Sequence, residues 1–120
     1  MIGILDLEIC NLASVSSAVY NLGFDFNIIK INENKKLDKI SHLIIPGVGS
    51  FSNISNEYFN ENNFSFELND YVKKGKPVLG ICLGMQFLAT EGFENRKSKG
   101  LNLIEGSVNL MKTDESKMFN

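Results

Sequence analysis

The 120-residue chain has no tryptophan, two prolines, two cysteines and one histidine. Each shortage excludes something. Two cysteines without a C-x-x-C spacing cannot build a disulfide framework. One histidine beside two separated cysteines leaves too few soft ligands for a zinc site, so no metal is expected. Neither sign of charge dominates: 12 basic residues against 14 acidic ones give a net −2, which is no electrostatic footprint for nucleic acid or an anionic membrane. No apolar run approaches the ~20 residues of a membrane span. The opening MIGILDLEIC lacks the basic start and small-residue cleavage site of a secretory signal. On these grounds the chain reads as cytoplasmic.

What is present fits one soluble α/β domain. Hydrophobic residues make up 43% and charged residues 22%, ordinary for a globular chain long enough to bury a core. Ile2 to Asp6 reads as a buried strand. Asn11 is placed to cap a helix whose apolar positions Leu12, Val15, Val19 and Leu22 recur at helical spacing, with Gly23 as its stop. Phe26 to Ile31 reads as a second strand, which makes a strand–helix–strand unit with parallel pairing. Lys35 to Ser41 is polar and suits a short helix. His42 to Ile45 is a third strand, stopped by Pro46-Gly47. Residues 50–64 are Asn-rich and read as loop with weak helix. A helix is expected from Phe66 to Lys74, a fourth strand from Pro77 to Ile81 and a helix from Leu83 to Thr90. Residues 91–100 read as a charged loop, and Leu101 to Met111 as a hairpin or two short strands. The closing KTDESKMFN has no stop signal. The expected architecture is an open, mostly parallel, flavodoxin-like sheet with helices on both faces.

In such sheets the working edge lies at the carboxyl ends of the strands. Three loops arrive there: residues 7–11, 46–50 and 82–84. The last belongs to Gly80-Ile81-Cys82-Leu83-Gly84, which has the form of a nucleophile elbow. The glycines admit a cramped strand-to-helix turn that pushes the sulfur out above the sheet, and the following helix aims free N–H groups and its dipole at a thiolate. A tight turn that merely happens to hold a small residue is the bland alternative. The strand before it and the helix after it weigh against that. Cys10 reads as a small buried hydrophobe.

Pro46-Gly47-Val48-Gly49-Ser50-Phe51 follows a strand on the same edge. The N–H of Val48 or Gly49, with that of Leu83, is placed to hold the oxygen of a tetrahedral intermediate. A phosphate cradle is the competing reading, but the Gly-Lys-Ser/Thr of a P-loop is absent. A thiol nucleophile needs a base. The one histidine, His42, starts a strand and so falls about 10 Å or more from the working edge.

LIIPGVGSF followed by PVLGICLGMQFL resembles the class I glutamine amidotransferases, the Cys-His-Glu glutaminase domains. ILDL with NLASV, and GLNLIEGSV near the end, extend the resemblance over nearly the whole chain. Within the family they are most like the glutaminase subunits of imidazole glycerol phosphate synthases, in histidine biosynthesis. The resemblance implies that Cys82 attacks the side-chain amide of glutamine, giving a glutamyl thioester and ammonia. It implies that the PGVG loop and Leu83 form the oxyanion hole, and that Gly47, Gly49 and Gln86 hold the substrate. It places Asn11 and Ser14 near a partner synthase (cyclase) subunit that receives the ammonia. No cofactor is implied. Two departures stand out. Glu8-Ile9-Cys10 replaces the glycines usual before Asn-Leu-x-Ser-Val. The family's His-x-Glu motif is absent, so residues 1–120 are expected to be the N-terminal part of a single domain, inactive alone.

Three other readings compete. The same ammonia chemistry can serve an amidino-sugar pathway. A non-catalytic flavodoxin-like module would use the PGVG loop for phosphate. A cysteine hydrolase would draw its acid from Asp6 or Glu8.

Overall fold

Four apolar runs become the four strands of one parallel sheet. The computed structural model describes residues 1–8, 10–53, 59–60 and 63–112. Strands β1 (Ile2–Asp6), β2 (Phe26–Lys30), β3 (His42–Gly47) and β4 (Val78–Cys82) lie in the order β2-β1-β3-β4, all paired in parallel. Helix α1 (Leu12–Asn21) crosses from β1 to β2, and α2 (Phe64–Lys73) precedes β4. The expected α/β sheet is therefore present.

Local chemistry accounts for the ends of both helices. The Asn11 side chain accepts the Ser14 N–H at 3.3 Å and so caps α1. Gly23 and Gly75 stop α1 and α2 at φ of +82° and +79°, donating to Tyr20 and Val72 carbonyls at 2.9 Å each. Helix α2 starts two residues earlier than its pattern suggests, at the buried Phe64.

Several expectations need correction. Strand β2 stops at Lys30, and Ile31–Lys39 winds as 3-10 turns with a break at Glu33. Strand β3 does not stop before Pro46 but runs to Gly47. Strand β1 pairs with β3 only as far as Ile44, so Pro46 sits where β3 has become an edge on that side, and proline is tolerated there. Strand β4 runs from Val78 to Cys82 rather than from Pro77 to Ile81.

The largest correction follows Cys82. Helix α3 is a single turn, Leu83–Gln86, and does not reach Thr90. Ala89–Gly92 is instead strand β5, which joins β6 (Ser98–Lys99) and β7 (Ile104–Val108) in a second sheet of order β6-β5-β7. The carbonyl of Phe87 accepts Leu101 N–H at 2.7 Å, and that of Leu88 accepts Leu103 and Ile104 N–H at 2.9 and 2.8 Å. Those carbonyls would have waited for helix donors, and a distant segment takes them. Residues 91–100 thus hold strand as well as loop. Leu101 to Met111 carries one strand, parallel to β5 with a bulge, and no hairpin. Of the Asn-rich stretch, Phe51–Asn53 is a 3-10 turn; residues 54–58, 61 and 62, like 113–120, lie outside the described residues.

The core sits on one face of the main sheet. Leu5, Ile29, Leu43 and Ile45 pack there with Leu37, Ile40, Leu68 and Tyr71. A fully buried aromatic group extends that core under the second sheet: Phe87 lies 5.2 Å from Phe51 and 5.7 Å from Phe59, centroid to centroid. Burying each such ring stabilises by about 1.5–3 kcal/mol. The other face is covered only in part. Ile4 of β1 and Val19 of α1 are buried there, but across β4 Leu79 is 56% exposed and Ile81 40%. A cavity of about 780 Å³ opens on the amino edge of this sheet, lined by Met1, Phe24, His42, Ile44 and Leu79 among others. Among the described residues no helix is long and apolar enough to cross a membrane.

Candidate active site

Cys82 ends β4 and caps α3 with φ +55° and ψ −120°. That region is forbidding for a residue with a Cβ and costs about 1–3 kcal/mol, which the surroundings must hold in place. The flanking glycines show why the turn tolerates nothing larger. A Cβ at Gly80 would come 2.5 Å from Met85 Cα, and one at Gly84 would overlap the Ile45 carbonyl oxygen. The chain doubles back so tightly that helix α3 lies on β3 and β4 with backbone against backbone. The result is an exposed thiol at the carboxyl edge, beside a helix start whose first N–H groups have no intrahelical partner.

The PGVG loop meets this turn directly. Gly47 is the register partner of Cys82, and a Cβ on it would stand 2.9 Å from Gly84 N and 3.1 Å from Leu83 Cβ. Val48 and Gly49 follow at once, both exposed, with Gly49 at φ +102°. Leu83 is buried. Gln86 closes α3 and lines a cavity of about 570 Å³ with Phe93, Glu94, Asn95 and residues 108–111. The structure thus brings Gly47, Val48, Gly49, Cys82 and Leu83 to one place, with Gln86 one helical turn away.

Asn11 and Ser14 stand apart from this group, at the start of α1 on the same edge, both exposed. His42 is exposed at the opposite end: it opens β3 and Gly47 closes it, so about 16 Å of strand separates them. Its Nδ1 lies 2.9 Å from Ser41 Oγ. Asp6 serves its own loop, accepting Glu8 N–H at 2.8 Å. Cys10 is half-buried rather than buried, with its sulfur 4.0 Å from the Leu5 carbonyl and 3.9 Å from Asp6 Oδ1. Burial chiefly pushes the Cys10 thiol up; a backbone hydrogen bond at Leu7 opposes it, and the Asp6 carboxylate adds to the rise. Neither Asp6 nor Cys10 is arranged to activate Cys82.

Sequence reasoning missed Glu94. Its carboxylate accepts the Phe51 N–H at 3.0 Å, across 43 residues of chain. The charged stretch around it reads as solvated loop, and nothing in local spacing reveals the contact.

The glutamine amidotransferase class-I model matches residues 4–118. The chain belongs to that family. It is similar to the imidazole glycerol phosphate synthase subunit HisH of Halalkalibacterium halodurans, 44% identical over 108 residues, covering 90% of this chain and 49% of the relative. The HisH subunit of Wolinella succinogenes is 39% identical over the same share of this chain, covering 51% of its own. That of Leptospira interrogans is 38% identical over 97% of this chain and 55% of its own. The chain therefore spans about half the length of the curated relatives it matches. The α/β scaffold is of the kind expected for that family.

Proposed function

We propose that Cys82 is the nucleophile of a glutaminase. The observation that carries this reading is the strained, exposed Cys82 backbone, held between two glycines and set against Gly47 of the PGVG loop. The thiolate attacks the side-chain carbonyl carbon of glutamine, and the developing oxyanion meets the N–H groups of Leu83 and of Val48 or Gly49. The C–N bond then breaks, ammonia leaves with a proton, and water later hydrolyses the glutamyl thioester to glutamate. Gly47, Gly49 and Gln86 hold the substrate. The relatives' names support an ammonia-accepting synthase as partner, in the manner of imidazole glycerol phosphate synthase of histidine biosynthesis, and Asn11 and Ser14 sit on the edge such a partner would meet.

The proton is the missing piece. The chain's one histidine lies at the wrong end of β3, so residues 1–120 supply a nucleophile without an imidazole base. We read them as the N-terminal part of one domain. The half-length match to the relatives and the exposed Leu79 and Ile81 on the edge strand β4 support this, since parallel sheets are ordinarily covered on both faces.

The test uses the chloroketone analogue of glutamine, in which a chloromethyl ketone replaces the side-chain amide. It should alkylate Cys82, free glutamine should protect, and C82S should lose labelling about 100-fold or more. Ammonia release from the 120-residue chain should stay at background. No labelling of Cys82, or labelling that glutamine does not slow, rejects the nucleophile; rapid ammonia release rejects the missing base.

A further inference from the structure

The turn between β5 and β6 lies on the segment that leaves the PGVG loop, and three of its side chains reach across. Glu94 accepts the Phe51 N–H at 3.0 Å. Asn95 Nδ2 donates to Ser50 Oγ at 3.4 Å. Arg96 Nη2 donates to the Ser52 carbonyl at 3.1 Å. Beneath these bonds the Phe51 ring is fully buried and presses on Gly92, where a Cβ would come within 2.8 Å of ring atoms. The turn is itself braced, with Arg96 N–H on the Glu94 carbonyl at 2.7 Å and Lys97 paired with Glu91 at 3.4 Å.

We propose that Asn95 and Arg96 are positioning residues for the oxyanion loop. The inference rests on the reading of Cys82 as a glutamine-directed nucleophile. Strand β3 pins the loop at Gly47, where pairing to Cys82 ends. Beyond it Val48 and Gly49 are exposed, and Gly49 takes a left-handed conformation that its lack of a side chain leaves free to change. An N–H group aimed by such a short bridge keeps its direction only if the far end is also pinned. Glu94 grips one atom there, the Phe51 nitrogen. Arg96 on the Ser52 carbonyl adds a second backbone point, and Asn95 on the Ser50 hydroxyl adds a side-chain contact on the other side of Phe51. The Arg96 bond is charge-assisted, which makes it the stronger of the two added grips. Neither Asn95 nor Arg96 forms part of the elbow; Asn95 also lines the cavity beside Gln86, whereas Arg96 does not, so Arg96 is the residue whose effect reaches Cys82 chemistry through the loop.

The experiment compares two alkylating reagents on the intact chain, scored at Cys82 by peptide mass mapping. The chloroketone analogue presents a carbonyl oxygen to the oxyanion donors; its C–S bond forms as C–Cl breaks, chloride leaves and the thiol proton passes to buffer. Iodoacetamide reacts by direct displacement of iodide at a methylene carbon and has no oxyanion to hold. R96A should slow the chloroketone about fivefold and leave iodoacetamide within twofold, N95A should slow it about twofold, and R96K should recover most of the loss. Amide exchange at Val48 and Gly49 should quicken in R96A. A chloroketone rate unchanged in R96A overturns the inference alone. Equal slowing with both reagents also overturns it, because that marks general loosening. A native chain that shows no glutamine-protected labelling overturns the functional reading, and this inference with it.

Discussion

Cys82 and Cys10 both follow parallel strands onto the carboxyl edge of one sheet, and their surroundings set them apart. Cys82 is exposed, stands in a left-handed turn and is walled by glycines that let α3 lie on the strands. Cys10 is half-buried in a loop that Asp6 organises, and both burial and that carboxylate hold its proton on. The β4 turn spends backbone strain on presenting a sulfur; the β1 turn accepts strain at Glu8, φ +63°, and presents none. Which thiol is available follows from how tightly the chain turns beside it.

The comparison breaks most sharply at the elbow glycines. G84A places a Cβ on the Ile45 carbonyl, a backbone atom that cannot step aside, and should cost about 3 kcal/mol. Urea denaturation measures this, and a loss under about 1 kcal/mol would show that the elbow is looser than its geometry implies. Next in size is thiol selectivity. Iodoacetamide at pH 8 should alkylate Cys82 about tenfold faster than Cys10, read by mass mapping of the native chain; equal rates would erase the distinction. The smallest effect isolates the carboxylate. A raised Cys10 pKa means less thiolate at pH 8, with reactivity arriving only at higher pH. D6N removes the charge but leaves the burial, so Cys10 labelling at pH 8 should rise about twofold while Cys82 stays unchanged. No rise would leave burial as the whole cause.

Legibility in the sequence divided along the same line. The elbow was readable because its requirements are local: two glycines at fixed offsets, an apolar run before and a helix start after. The Asn11 cap and the Gly23 and Gly75 stops were readable for the same reason. The end of α3 was not. Phe87 and Leu88 continue a helical pattern, yet Phe87 is drawn into the ring cluster with Phe51 and Phe59, and the carbonyls of both go to residues 101–104. The mistaken hairpin at Leu101 to Met111 has the same origin, since the alternation there belongs to a strand paired with β5.

The pattern of residues by itself determined the parallel strands, the caps and the thiol turn, because each rests on sterics and hydrogen bonds among neighbours in the chain. Only the tertiary structure decided where α3 stops, that Cys10 keeps its proton, and that Glu94, Asn95 and Arg96 grip the segment beyond the PGVG loop. The end of α3 depends on backbone donors more than ten residues away, the grip on the loop on side chains more than forty away, and the Cys10 proton first on how the folded chain buries its loop. No local periodicity carries that distance.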